Sequence, residues 1–153
     1  THLESLKNLY RRRRDTMLEA LHEHFGTAAS WTKPQGGLFI WATLPDYIDT
    51  TDLLARALES EGVAFVPGRA AYLDGRGASS MRLNFAGVPE EDIREAIRRI
   101  GKVVREQVGL FGTLTGEQPS IQARAEHVGA PDPELAEVVE LPKRESRRER
   151  GSR

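Results

Sequence analysis

Apolar residues recur at helical spacing in three stretches of the chain and at strand spacing in three others, and the order of these runs sets the fold class. The first run is Leu3, Leu6, Tyr10, Met17, Leu21 and Phe25, preceded by a Thr1-x-x-Glu4 capping box and followed by Gly26 as a stop. Leu38-Phe39-Ile40-Trp41-Ala42-Thr43-Leu44 follows Gly36-Gly37 and is closed by Pro45, which predicts a strand. Asp49, Thr50 and Thr51 offer N-caps for a second helix carrying Leu53, Leu54, Ala57 and Leu58, ended by Gly62. Val63-Ala64-Phe65-Val66 is expected to be a short strand, cut off by Pro67-Gly68. Arg69 to Ser80 contains Asp74-Gly75 and Gly77 and reads as a loop or hairpin connection. Met81-Arg82-Leu83-Asn84-Phe85 alternates, so Met81, Leu83 and Phe85 share one face while Arg82 and Asn84 share the other. Pro89 opens a third helix with Glu90, Glu91 and Asp92 at the positive end of its dipole and Ile93, Ile97, Ile100 and Val104 as its stripe. Helix, strand, helix, strand, strand, helix predicts an α/β fold in which a small sheet packs against helices.

Beyond Val108 the pattern stops. Residues 110–153 hold one aromatic, Phe111, are punctuated by Pro119, Pro131, Pro133 and Pro142, and end in the run Lys143-Arg144-Glu145-Ser146-Arg147-Arg148-Glu149-Arg150. This divides the chain into a domain over 1–108 and a polar, charged tail over 109–153, expected to be disordered apart from a short helix from Pro133 to Glu140. The net charge of -1 supplies no field to recruit nucleic acid or an anionic membrane. The absence of cysteine excludes disulfides, thiolate metal sites and cysteine nucleophiles, and fits a cytoplasmic protein. No apolar run approaches the ~20 residues of a membrane span. The chain opens on Thr1 rather than Met, as a fragment or a processed chain would.

Arg82 is the one charge in its strand. A guanidinium fixed on a strand is a rigid two-pronged donor matched to a carboxylate or phosphate, and the same pattern also describes an ordinary solvated arginine. Asn84 shares its face, either to orient it or as a solvated amide. Gly36 and Gly37 allow a close backbone approach or simply a tight turn into the strand. His22 and His24 diverge by roughly 200° on a helix and cannot share a metal. Arg11 to Arg14 point around nearly the whole helix circumference, which suits a solvated or domain-facing surface better than a nucleic-acid stripe. No HExxH, P-loop or GxSxG spacing occurs, and Gly68 to Gly77 matches no phosphate-binding fingerprint.

Three blocks stand in order: Pro34-Gln35-Gly36-Gly37-Leu38-Phe39-Ile40-Trp41, Gly62-Val63-Ala64-Phe65-Val66-Pro67-Gly68 and Met81-Arg82-Leu83-Asn84-Phe85. With Tyr10 and the arginines before Asp15, and with Pro89-Glu90-Glu91, they resemble the C-terminal small domain of fold-type-I, pyridoxal-phosphate-dependent aminotransferases of class I/II. The likeness covers residues 1–108 and is nearest to the branch acting on aromatic, branched-chain or aminoadipate-type substrates. It implies a parent enzyme that moves an amino group between an amino acid and a 2-oxo acid by a ping-pong route. Within it, Arg82 would clamp the substrate α-carboxylate, and movement of this domain would close the site. Tyr72 lies where the family often has an aromatic pair, but Ala71 takes the other position, so no side-chain preference carries over.

The cofactor implied is pyridoxal 5'-phosphate. Lys7, Lys33, Lys102 and Lys143 all lie outside the serine-rich S-x-x-K setting the family places around its Schiff-base lysine. The resemblance therefore puts lysine, pyridine-binding acid and phosphate cup in the large domain of the parent protein, which would also hold a homodimer together. This chain alone is then expected to be inactive, with no catalytic, cofactor or metal residue of its own. Two other classes compete. One is an aminotransferase-like ligand-sensing domain fused to a DNA-binding segment in a transcription regulator. The other is a non-catalytic α/β interaction module.

Overall fold

The expected first helix forms, but only its second half belongs to the core. In the computed structural model, which describes residues 2–116, helix α1 (His2–Phe25) buries Thr16, Met17, Ala20, Leu21 and Phe25. Leu3 is exposed and Leu6 half-buried, and Tyr10 only packs against the margin of the core, so the stripe at 3–10 supplies no fully buried residue. The remaining elements are β1 (Ser30–Trp31), β2 (Phe39–Thr43), α2 (Thr50–Glu61), β3 (Val66–Pro67), β4 (Ser80–Asn84) and α3 (Glu90–Thr115). The four strands pair antiparallel in the order β1-β2-β4-β3, which confirms the α/β class with a small sheet against helices.

The ends of α2 follow the sequence signals. Asp49 accepts a hydrogen bond from the Thr51 N–H, and Gly62 closes the helix in the left-handed region at φ 63°. The closure also explains a correction. The Val63 N–H bonds back to the Ala57 carbonyl, so the chain is still committed to the helix cap where a strand was expected. Pairing begins only at Val66, and the strand is Val66–Pro67 rather than Val63–Val66. Pro67 is tolerated because β3 is an edge strand, with no ladder bond required on its outer side. β1 was not expected at all: two residues followed by Pro34 leave no period to read.

The two faces of the sheet differ sharply. In register, Ile40 opposes Leu83 and Ala42 opposes Met81, and all four are buried against Met17, Leu21, Leu53, Ile93, Ile97 and Val104. Phe39, Trp41 and Thr43 project to the other side, opposite Asn84, Arg82 and Ser80. α1 and α3 pack closely and in the same direction. Arg12 meets Glu90, Glu19 meets Arg94, and a Cβ on Gly101 would lie 2.9 Å from the His24 carbonyl oxygen. Arg105 donates to that same carbonyl, satisfying an end group of α1.

α3 continues to Thr115 and is capped by Gly116 at φ 71°. The boundary placed at 108 therefore falls inside a helix, and Gly109 to Thr115 belong to α3 rather than to a disordered tail. The physical reason is Phe111, whose ring stacks on Tyr47 with centroids 3.8 Å apart. Thr1, the rest of the tail and the expected Pro133–Glu140 helix lie outside the described residues.

Candidate functional site

The exposed side of the sheet is built around Arg82. Cross-strand register places it in one row with Trp41 on β2 and Val66 on β3, all three on the same face. Its guanidinium carbon sits 4.3 Å from the centroid of Phe39, which is 39% exposed. That is a cation–π contact, so the ring orients the guanidinium without consuming an N–H. Among the described residues, neither a hydrogen-bond acceptor nor a carboxylate pairs with Arg82, and its Nε is buried without a partner. By contrast, Arg12, Arg14, Arg69, Arg76, Arg94, Arg98 and Arg99 all have carboxylate partners. A fixed guanidinium with unused donors on an aromatic support suits a planar anion.

The neighbours resolve several alternatives. Asn84 Oδ1 accepts from the Ala86 N–H at 2.8 Å, so this amide shapes the end of β4 and does not hold Arg82. Gly37 has φ 79° with open space around a notional Cβ, and is therefore a turn glycine rather than a close-approach one. The loop from Gly68 to Gly77 packs on itself. A Cβ on Gly68 would lie 2.4 Å from the Gly77 carbonyl oxygen, and one on Gly77 would lie 2.8 Å from the Tyr72 ring. That packing sets Tyr72 edge-on against Trp41 at 5.8 Å, with the Arg76 guanidinium 5.2 Å from the Tyr72 ring. Sequence reasoning missed Phe39 and Trp41 as site residues. Their run is apolar throughout, so only the pairing with β4 reveals which side chains face out.

The arginine quartet divides its work. Arg11 donates to Asn8, Arg12 to Glu90, Arg13 to the Ala86 carbonyl, and Arg14 to both Asp15 and the Pro34 carbonyl. His22 is exposed, His24 is packed beside Gly101, and no group of metal-binding side chains occurs among the described residues. The Thr51 N–H and the nearby Arg69 hold the Asp49 carboxyl below its ordinary range. Burial, with Asp46 adding to it, pushes the Tyr47 hydroxyl up. No helix among the described residues is long and apolar enough to cross a membrane.

Comparison with known proteins agrees with this architecture. The family profile "Aminotransferase class I and II" matches residues 1–100. "Aromatic-amino-acid aminotransferase 1" of Thermococcus litoralis is 46% identical over 107 residues, which are 70% of this chain and 25% of that protein. The crystal structure of LysN, an alpha-aminoadipate aminotransferase from Thermus thermophilus complexed with N-(5'-phosphopyridoxyl)-L-leucine, superposes with a TM-score of 0.67 at 37% identity. That match covers 71% of this chain and 28% of LysN. "HTH-type transcriptional regulator NorG" of Staphylococcus aureus is 34% identical over 104 residues, 68% of this chain and 23% of that protein. The chain belongs to the class I and II aminotransferase family, and it spans about a quarter of the length of the relatives it matches.

The described residues do not by themselves make a site for pyridoxal phosphate. Lys7 and Lys102 are surface side chains bonded to Glu4 and Glu61, and Lys33 is exposed, whereas a Schiff-base lysine needs shelter beside its cofactor.

Proposed function

We propose that this chain is the carboxylate-binding small domain of a pyridoxal-phosphate-dependent aminotransferase, with Arg82 as the anchor for the α-carboxylate of the amino-acid and 2-oxo-acid substrates. The observation that carries this is the unpaired guanidinium of Arg82 stacked on Phe39, in a chain of the aminotransferase family. The carboxylate would receive two parallel N–H bonds, which fix its position and its plane. Phe39 limits how far the guanidinium swings, and Trp41 and Val66 flank it with apolar surface that strengthens the interaction by displacing water. In the parent enzyme the cofactor supplies an electron sink for moving the amino group. Its lysine, its phosphate site and the contacts of a homodimer would come from outside these residues, in a cytoplasmic enzyme. By this reading the domain expected over 1–108 extends to the end of α3 at Thr115, and the chain alone does not transaminate.

The test is Arg82→Met in the native full-length protein. Losing two charge-assisted bonds is worth about 3 kcal/mol or more, so KM for both the amino acid and the 2-oxo acid should rise about a hundredfold. Unchanged KM values for both would eliminate the anchor role.

The likeness to NorG favours a second reading, a ligand-sensing domain in a transcription regulator. There Arg82 would still hold a carboxylate, but the readout would be binding rather than turnover. A DNA-binding segment upstream in the native protein and amino-acid-dependent DNA affinity would select this reading. Turnover of an amino acid with a 2-oxo acid, without such a segment, would select the enzyme.

A further inference from the structure

We infer that Arg13 is a positioning residue for the Arg82 anchor, an inference that rests on the reading of Arg82 given above. Arg13 stands on α1, far from Arg82 in sequence, and donates from Nη1 to the carbonyl of Ala86, just beyond the end of β4. The backbone is thereby held on both sides of the Ala86 Cα, since the Ala86 N–H is bonded to Asn84 Oδ1 at 2.8 Å. One residue earlier, the Phe85 N–H bonds the Leu38 carbonyl at 3.1 Å, which ties this end of β4 to the residue preceding Phe39.

The next residue of α1 grips the other strand. Arg14 Nη1 donates to the Pro34 carbonyl at 3.2 Å, on the segment leading through Gly36-Gly37 into β2. Adjacent arginines of one helix therefore hold the end of β4 and the approach to β2, the two strands that bear Arg82 and Phe39. Helix α1 is a stiff support, because its second half is locked in the core by Met17, Ala20 and Leu21. Arg13 is not placed as a solvated arginine would be. It is half-buried, and its Nε is out of water with no hydrogen-bond partner, a costly position that packing must impose.

The consequence is geometric. Arg82 lies four residues before Ala86 on an edge-proximal strand, so play at Ala86 changes how the guanidinium sits over Phe39. A carboxylate anchor is sensitive to such play, because small misplacements from remote changes cost large factors in productive binding. Amino acid and 2-oxo acid should be affected alike, since both present the same carboxylate.

The experiment uses the native full-length protein and four variants: Arg13→Met, Arg13→Lys, Arg82→Met and Arg12→Met. The probe is 3-phenylpropionate, a carboxylate with no amino group to transfer, titrated by calorimetry alongside unfolding midpoints. The expected result is a Kd raised about tenfold in Arg13→Met and about threefold in Arg13→Lys, whose ammonium still reaches a carbonyl but lacks the planar fork. KM for both substrates should rise in step with Kd, with kcat held. Arg12→Met, which breaks only the exposed pair with Glu90, should leave the Kd at wild type. Loss of binding in Arg82→Met with wild-type affinity in either folded Arg13 variant overturns the positioning role and leaves the anchor intact. Wild-type affinity in Arg82→Met overturns the anchor itself, and the positioning role with it. Should Arg13→Met fail to fold, Arg13→Lys decides: a lowered unfolding midpoint with unchanged Kd means a structural staple only.

Discussion

Residues 81, 82 and 83 sit side by side on one strand, yet they belong to two different kinds of surface. Met81 and Leu83 are fully buried against Ala42 and Ile40 and the helices behind them. Arg82, between them, faces outward with Phe39, Trp41 and Val66, and carries donors that nothing else in the described residues uses. The packed face is saturated: each side chain has its contacts, and stability comes from apolar area removed from water. The open face is unsaturated, and its unspent donors are what a ligand can use. One strand therefore separates folding from recognition by the alternation of its side chains alone.

The sharpest way to break that contrast is a pair of neighbouring substitutions. Leu83→Ala should lower stability by about 3 kcal/mol through lost burial and a residual cavity, read from chemical denaturation of the native protein. Arg82→Met should change stability by no more than about 0.5 kcal/mol, because it removes a charge with an unpartnered buried Nε and keeps the stem over Phe39. A large loss in Arg82→Met would mean that the guanidinium serves the fold, and the two faces would not be distinct.

A smaller effect probes the packed side where α1 meets α3. Glycine to alanine inside a helix ordinarily stabilises by up to about 1 kcal/mol. At Gly101 the new Cβ would sit 2.9 Å from both the Cβ and the carbonyl oxygen of His24, and the oxygen is also the acceptor for Arg105. The clash should win, with a net loss of about 2 kcal/mol for Gly101→Ala in thermal unfolding. A stabilised variant would show that the helices separate at little cost.

The smallest effects lie in the acid range. Glu95 is held at about 2 by its hydrogen bonds to Arg98 and Arg99, and Asp49 is lowered by the Thr51 N–H and Arg69. Both carboxyls have folded values below their unfolded ones. Their contribution to stability is therefore complete above the ordinary carboxylate range and is lost as pH falls through the folded values. For Glu95 that window runs downward from about 4.5 towards about 2. Carboxyl titration by NMR should show both groups titrating late, with Glu95→Gln leaving the Asp49 curve unmoved. Glu95 stands on α3, which packs against the buried face of the sheet, so carboxylate binding at Arg82 should not follow its window.

Element identities were readable wherever a local signal was strong. Asp49 and Gly62 bound α2 as their types imply, and the alternation of Met81 to Phe85 placed Arg82 outward correctly. Local signals failed where a distant partner made the decision. Val63 reads as strand but is spent on the cap of α2, and α3 outlasts its apolar stripe because Phe111 finds Tyr47. The arginine quartet could be excluded as a stripe from helical geometry alone. Its partners, Glu90, Ala86 and Pro34, lie too far along the chain to be inferred.

The sequence by itself determined the α/β class, the ends of α2, the outward face of Arg82 and the likeness to the class I and II aminotransferases, because periodicity, capping and motif order are properties of neighbouring residues. Only the tertiary structure decided that Phe39 lies under the guanidinium, that Trp41 and Val66 flank it, and that Arg13 and Arg14 hold the strands beneath. Those relations depend on strand register and helix packing, which are fixed by which surfaces meet when the chain closes around its core.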